Sequence, residues 1–191
     1  MPDLTPSDFH WDGYFWKATI RLAAWRGFQS RRGPYGGQDS VLPSDGSVDL
    51  VFAPEGRDDA PIREAEVELA NWAIKHEGEM QRALLAALLP RYTELRPQYL
   101  EFLGDEALMP AVTAVDEFRS LMGLHSLNVH QIEKDGCPYV GFEFGCTWDS
   151  EHGIGVLMHG ARVVEIGGAD TAILLWIAER DANNGYLRRD D

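Results

Sequence analysis

Hydrophobic and polar positions alternate near the start of the chain. Over residues 9–25 (FHWDGYFWKATIRLAAW) an aromatic cluster gives way to a period of two. Phe15, Lys17, Thr19 and Arg21 fall on one face and Trp16, Ala18, Ile20 and Leu22 on the other, the pattern of a half-buried strand. Residues 26–47 (RGFQSRRGPYGGQDSVLPSDGS) carry five glycines, two prolines and three arginines, a density of breakers that predicts a long loop. Ser47–Phe52 (SVDLVF) alternates again and is expected to pair with the first strand. From Ile62 the apolar spacing becomes helical: Val67, Ala70, Trp72 and Ile74, then Met80, Leu84, Leu85 and Leu88. Pro61 suits a first helical position, and Glu64, Glu66 and Glu68 lie where the helix dipole favours negative charge. Pro90 and Pro97 are expected to interrupt, leaving Tyr99–Leu103 as a short apolar piece. A second amphipathic helix is predicted over Ala111–Met122, ending at Gly123.

Beyond that the period returns to two. Ser126–Glu133 sets Leu127, Val129 and Gln131 against Asn128, His130 and Ile132, and Lys134-Asp135-Gly136 reads as a hairpin turn. Strands are predicted at Tyr139–Phe144, Ile154–Met158 and Arg162–Ile166, with turns at Trp148–Gly153 and His159-Gly160, as in an antiparallel meander. Gly167-Gly168 ends it. A final helix through Ile173, Leu174, Trp176 and Ile177 is expected to be capped by Asp170 or Thr171, and the polar tail NNGYLRRDD to fray. The fold class that follows is α+β: a mainly antiparallel sheet from N- and C-terminal strands, packed by central helices and a C-terminal helix. One domain over residues 1–191 is expected, with residues 13–25 or 47–53 joining the C-terminal meander in one sheet.

Composition changes this picture little. The chain has 191 residues, 45% hydrophobic and 25% charged, enough apolar content for a sizeable core. Charge changes it more. The formal net charge is −14, spread along the chain, so phosphate backbones and anionic lipid are repelled. Nucleic acid and membrane are thus unexpected partners, and a basic protein partner is the complementary one; the chain is expected as a monomer or homodimer. The opening MPDLTPSDFHWDG lacks the pattern of a signal peptide, no apolar run is long enough to span a membrane, and a cytoplasmic location is expected. If Cys137 and Cys146 lie on one strand, they are roughly 30 Å apart at ~3.3 Å per residue, too far for a disulfide.

The run GFEFGCTWDSEHGIGVLMH (141–159), followed by RVVEIGGADT and a helix, resembles the C-terminal motif of an uncharacterised family of bacterial intracellular domains. FW at 15–16 and WRGFQSRRGPYG at 25–36 are similar to that family's opening segment. Some related domains occur near polymorphic toxin systems; the resemblance implies fold and an intracellular compartment ahead of function, with an immunity-like role as one form of a binding function.

The densest polar cluster is Cys146, Trp148, Asp149, Glu151 and His152, with His159 at the next turn. These are transition-metal ligand types, and Cys146, His152 and His159 are the metal candidates, but CxxC, HxH and HExxH spacings are absent. Asp149 capping the turn, Gly153 supplying backbone freedom and Cys146 packing as a small apolar residue account for the same letters. Trp148, beside Asp149, is the tryptophan expected to be half exposed. A Cys146–His152 nucleophile pair lacks the cation or helix N-terminus that stabilises a thiolate. Gly167-Gly168-Ala169-Asp170 lacks the spacing of a phosphate cradle, and no cofactor is expected. The loop residues Arg26, Arg31, Arg32 and Tyr35 form the one local basic, aromatic patch, a composition suited to contacts; the alternative is internal pairing of the arginines, with Phe28 in the core. The function expected is a non-enzymatic protein-binding module with an acidic surface. The competing expectations are a small metal- or cysteine-dependent hydrolase centred on the Cys146–His152 turn, and small-molecule sensing in a pocket between the sheet and the arginine loop.

Overall fold

The computed structural model describes residues 3–184; residues 185–191, and with them most of the tail expected to fray, lie outside the described residues. Within these residues the strands are β1 (His10–Trp11), β2 (Trp16–Arg21), β3 (Ser47–Phe52), β4 (Met122–Lys134), β5 (Cys137–Cys146), β6 (Ile154–His159) and β7 (Arg162–Gly167), and the helices are α1 (Glu64–Lys75), α2 (Glu77–Leu103) and α3 (Leu175–Asn184). The strands form one sheet in sequential order. Every neighbouring pair is antiparallel except β3–β4, which is parallel. A parallel pair needs a crossover, and helices commonly provide it; here α1 and α2 lie between the two strands. The expected α+β class, and the joining of the early strands to the late meander, are what forms.

Alternation decides the faces. Ala18 and Ile20 of β2 are buried while Thr19 and Arg21 are exposed. Leu127, Val129, Phe142, Phe144 and Val156 share a core with Val67, Ala70, Met80, Leu84 and Leu88 of the long helices. The opposite face of β4–β7 carries Tyr139 and Leu157 beneath Ile177 and Ala178 of α3. Both faces of β4 are therefore buried, and Ser126, Asn128 and His130 are buried polar residues on its second face. The turn after β4 has positive φ at Asp135 (53°) and Gly136 (75°), as a tight hairpin requires.

Several expectations about helices are corrected. α2 runs unbroken through Pro90 and Pro97. Both prolines lie on its exposed side, as do Ala86 and Thr93 four residues earlier, so the carbonyls that lose their intrahelical partners face water. The buried stripe Leu84, Leu85, Leu88 and Tyr92 holds the helix meanwhile, and Tyr99–Leu103 is its last turn and not a separate piece. The helix expected over Ala111–Met122 is a 3-10 turn at Val115–Ser120, and Met122 opens β4. Gly123 ends no helix: it is a strand residue, and a Cβ there would strike the Gln29 carbonyl. Helix starts differ as well. α1 begins at Glu64 and not at Pro61, and Ala169–Ala172 forms a 3-10 turn before α3 opens at Leu175.

The long loop holds a 3-10 turn at Pro34–Gly36 and a single bridge between Ser30 and Ser40. It is nonetheless well seated. Phe28 is buried against Trp25, 5.1 Å between rings, and Gln29 N donates to Met122 O at 3.1 Å. The loop then presses so closely on β5 that a Cβ at Gly145 would meet the Gly36 carbonyl and, at 3.1 Å, Cδ of Arg31.

Candidate functional site

The turn after β5 is built by Asp149. Its Oδ1 accepts from His152 N at 3.0 Å and lies 3.0 Å from His152 Nδ1, its carbonyl accepts from Gly153 N at 2.9 Å, and its Oδ2 accepts from Tyr99 Oη at 3.1 Å. Gly153 has φ 63°, a conformation cheap for glycine alone. Asp149 thus caps its own turn and ties it to the distal end of α2. Trp148, expected to be half exposed, is buried at 1% exposure. Its indole packs edge-on against Tyr92 at 5.0 Å, since a tryptophan here plugs the gap between the turn and α2.

Between the turn and α2 lies an open groove of about 750 Å³. One wall is Tyr99, Phe102 and Leu103, the other is Cys146 through His152, and Arg31 and Leu108 complete it. Thr147 Oγ1 donates to Leu108 O at 2.7 Å and Arg96 Nε to Met109 O at 2.9 Å, which hold the segment carrying Leu108 in place. Phe102 is 91% exposed on the lip.

Arg31 is the unusual member. It is only 7% exposed, and its Nε and Nη2 both donate to Gln29 Oε1, at 2.9 and 2.6 Å. Gln29 is held in turn by its Nε2, which donates to Ser120 O at 2.6 Å. Among the described residues no carboxylate pairs with Arg31, and its Nη1 makes no hydrogen bond. Burial pulls its pKa down, opposed by the neighbouring Cys146. A buried cation without an anion carries a desolvation cost.

Two candidate regions, far apart in sequence, therefore meet in this groove: the basic loop through Arg31, and the polar turn through Trp148, Asp149, Glu151 and His152. The other loop residues do not join them. Arg26 is exposed and its carbonyl accepts from Arg119 Nη1 at 2.7 Å. Arg32 Nη2 donates to Ser47 O at 2.8 Å and faces Asp45 at 3.5 Å. Tyr35 is 92% exposed in the left-handed region, φ 56°.

Among the metal candidates, Cys146 is buried and its Sγ sits 3.5 Å from Asp149 O. Burial pushes its thiol up to about 12, so it stays protonated at neutral pH. His152 stands exposed on the rim. His159 closes the far end of β6, stacked on Tyr139 at 4.7 Å with Nε2 2.8 Å from Lys134 O. No group of three His, Cys, Asp or Glu side chains suited to a metal occurs among the described residues. Cys137 and Cys146 are both free. No helix of the described residues is long and apolar enough to cross a membrane.

The groove residues not anticipated are Gln98, Phe102, Leu103, Leu108 and Thr147, with Tyr99 as the tie to Asp149. A signal existed for the helical ones. Tyr99, Phe102 and Leu103 stand at i, i+3 and i+4, one face of a helix, once the helix is allowed past Pro97.

No curated protein and no solved structure matches the chain. Residues 33–174 match the family described as domain of unknown function DUF6985, in agreement with the resemblance to an uncharacterised domain family. That span holds β3 to β7 with the crossover helices, and every groove residue except Arg31. The chain belongs to this family.

Proposed function

We propose that this domain is a non-enzymatic binding module and that the groove between α2 and the β5–β6 turn is its recognition site. The observation that carries this is the convergence of a buried, carboxylate-free arginine with exposed apolar side chains in one open groove, features typical of a ligand site. The polar turn beside it reads as architecture. Asp149 spends its oxygens on the turn and on Tyr99, and Cys146 is too buried and too weakly acidic to serve as a thiolate nucleophile at neutral pH. That weighs against the hydrolase reading.

The net charge of −14 supports a basic protein as the macromolecular partner, and an immunity-like role inside a bacterial cell is the form of that reading which the sequence motif suggests. Complementary potentials of this kind speed encounter and weaken as salt rises. The test is a pairwise binding screen against proteins encoded beside this chain, repeated at low and high salt. A basic partner whose affinity falls as salt is added is expected; finding none, or only salt-indifferent binding, overturns the protein-partner reading. Elemental analysis of protein purified without an affinity tag checks the non-metal reading, and stoichiometric transition metal overturns it.

A further inference from the structure

A buried guanidinium is seldom left with only an amide for company. The Arg57–Glu66 pair shows the usual arrangement: the two meet at 2.9 Å with both side chains nearly covered. Arg31 instead has Gln29, a neutral acceptor that engages two of its three nitrogens and leaves Nη1 without a hydrogen-bonding partner among the described residues. Gln29 therefore orients the guanidinium without neutralising it. The groove that Arg31 lines is otherwise walled by Tyr99, Phe102, Leu103 and Leu108.

From this arrangement we infer that the groove takes a small organic monocarboxylate with an apolar body. The carboxylate pairs with Arg31, and the body lies against Phe102 and Leu108. A planar guanidinium matches carboxylate geometry, and pairing removes the cost of a buried unmatched charge. The charge of the ligand is limited from the other wall. Asp149 and Glu151 line the same groove, so a dianion such as a phosphate monoester meets two carboxylates for one cation. The groove volume, about 750 Å³, lies in the range for small-molecule sites. The inference rests on the groove being a recognition site, but not on the protein partner: a basic partner that binds while small carboxylates do not would leave the previous reading standing and remove this one.

The experiment is ligand titration of the full chain followed by amide chemical-shift mapping. The probes are phenylacetate, acetate, 2-phenylethanol and phenyl phosphate. Phenylacetate is expected to saturate and to move the amides of Thr147–His152. Each of the other three, lacking the apolar body, the charge or the single charge, is expected to bind at least about tenfold more weakly, roughly 1.4 kcal/mol. Arg31→Met should abolish phenylacetate binding. Phe102→Ser, at a position so exposed that folding does not depend on it, should weaken it about tenfold, and it stands as the test if Arg31→Met fails to fold. Three results overturn the inference: no saturation by phenylacetate at millimolar concentration, 2-phenylethanol binding as well as phenylacetate, or phenylacetate binding unchanged in Phe102→Ser or in folded Arg31→Met.

Discussion

His130 lies on the second face of β4 with no exposed surface. Its Nε2 is 3.1 Å from Ala172 O, which makes that nitrogen the donor, and its Nδ1 is buried without a partner. Protonation would place a charge and an unmatched N–H in a dry site, and burial accordingly lowers its pKa from the ordinary 6.5, with the Ala172 bond and Glu55 opposing more weakly. A histidine kept neutral by the fold gives stability that is complete above about 6.5 and is lost as pH falls from there through its lower folded value. The acid losses fall elsewhere. Glu66, held at about 2 by Arg63 and Arg57 against burial, gives up its contribution only between its ordinary 4.5 and about 2. The urea midpoint of the wild-type chain should therefore drop between about pH 7 and pH 5.5. His130→Leu should start about 1–3 kcal/mol lower, because Ala172 O loses its donor, and then show a flatter profile over that range. Equal drops in the two proteins would assign the pH sensitivity to other groups.

Elements follow from local pattern where one face is buried, and they diverge from it where a tertiary contact outranks a breaker. Strands β2 and β3 were legible because period two survives in them, β5 to β7 because short apolar runs stand between turn residues although β5 and β6 are buried on both faces, and the Asp135-Gly136 turn because its residues suit positive φ. α2 was legible only as far as Pro90. Proline is read as a stop from chemistry, but its cost depends on whether the freed carbonyl is hydrated, and that depends on which side of the helix is wet. The 3-10 turn at Val115–Ser120 departs from its pattern for the opposite reason: its apolar spacing fits a helix, yet of its six residues only Phe118 is fully buried and Gly123 is needed in β4 beneath the Gln29 carbonyl. The groove was half legible. Its polar turn stood out by residue type, and Arg31 by its loop, but nothing local places residues 31 and 148 together, since Gly123 and Gly145 admit the loop to the sheet only in three dimensions. If hydration is why α2 tolerates Pro97, then Pro97→Ala should restore the bond to Thr93 and relieve the ring's clash. Alanine is favoured over proline in helix interiors by about 3 kcal/mol, offset by up to about 1 kcal/mol from the freer unfolded chain. A gain of about 2–3 kcal/mol, a rise of several degrees in Tm at this chain length, is expected by calorimetry. A fall in Tm would mean that the proline shapes the last turn of α2 and with it the groove wall.

At the scale of the whole molecule, one buried cation, Arg31, sits in a strongly anionic protein, and the two act over different distances. The field of −14 charges reaches about 30 Å in roughly 0.01 M salt and only about 10 Å in roughly 0.1 M. A carboxylate approaching Arg31 is repelled by that field until it is inside the groove, where the contact is short, partly desolvated and weakly screened. Added salt removes the repulsion faster than it weakens the contact. A basic protein meeting the outer surface experiences the reverse, because the long-range attraction is the part that salt removes. The sign of the salt dependence therefore separates the two modes of binding on one molecule. From about 0.01 to 0.1 M salt, phenylacetate affinity should hold level or rise, while that of a basic partner should fall several-fold. If phenylacetate affinity instead falls in step with salt, the ion pair is made at the exposed rim and not at the buried arginine.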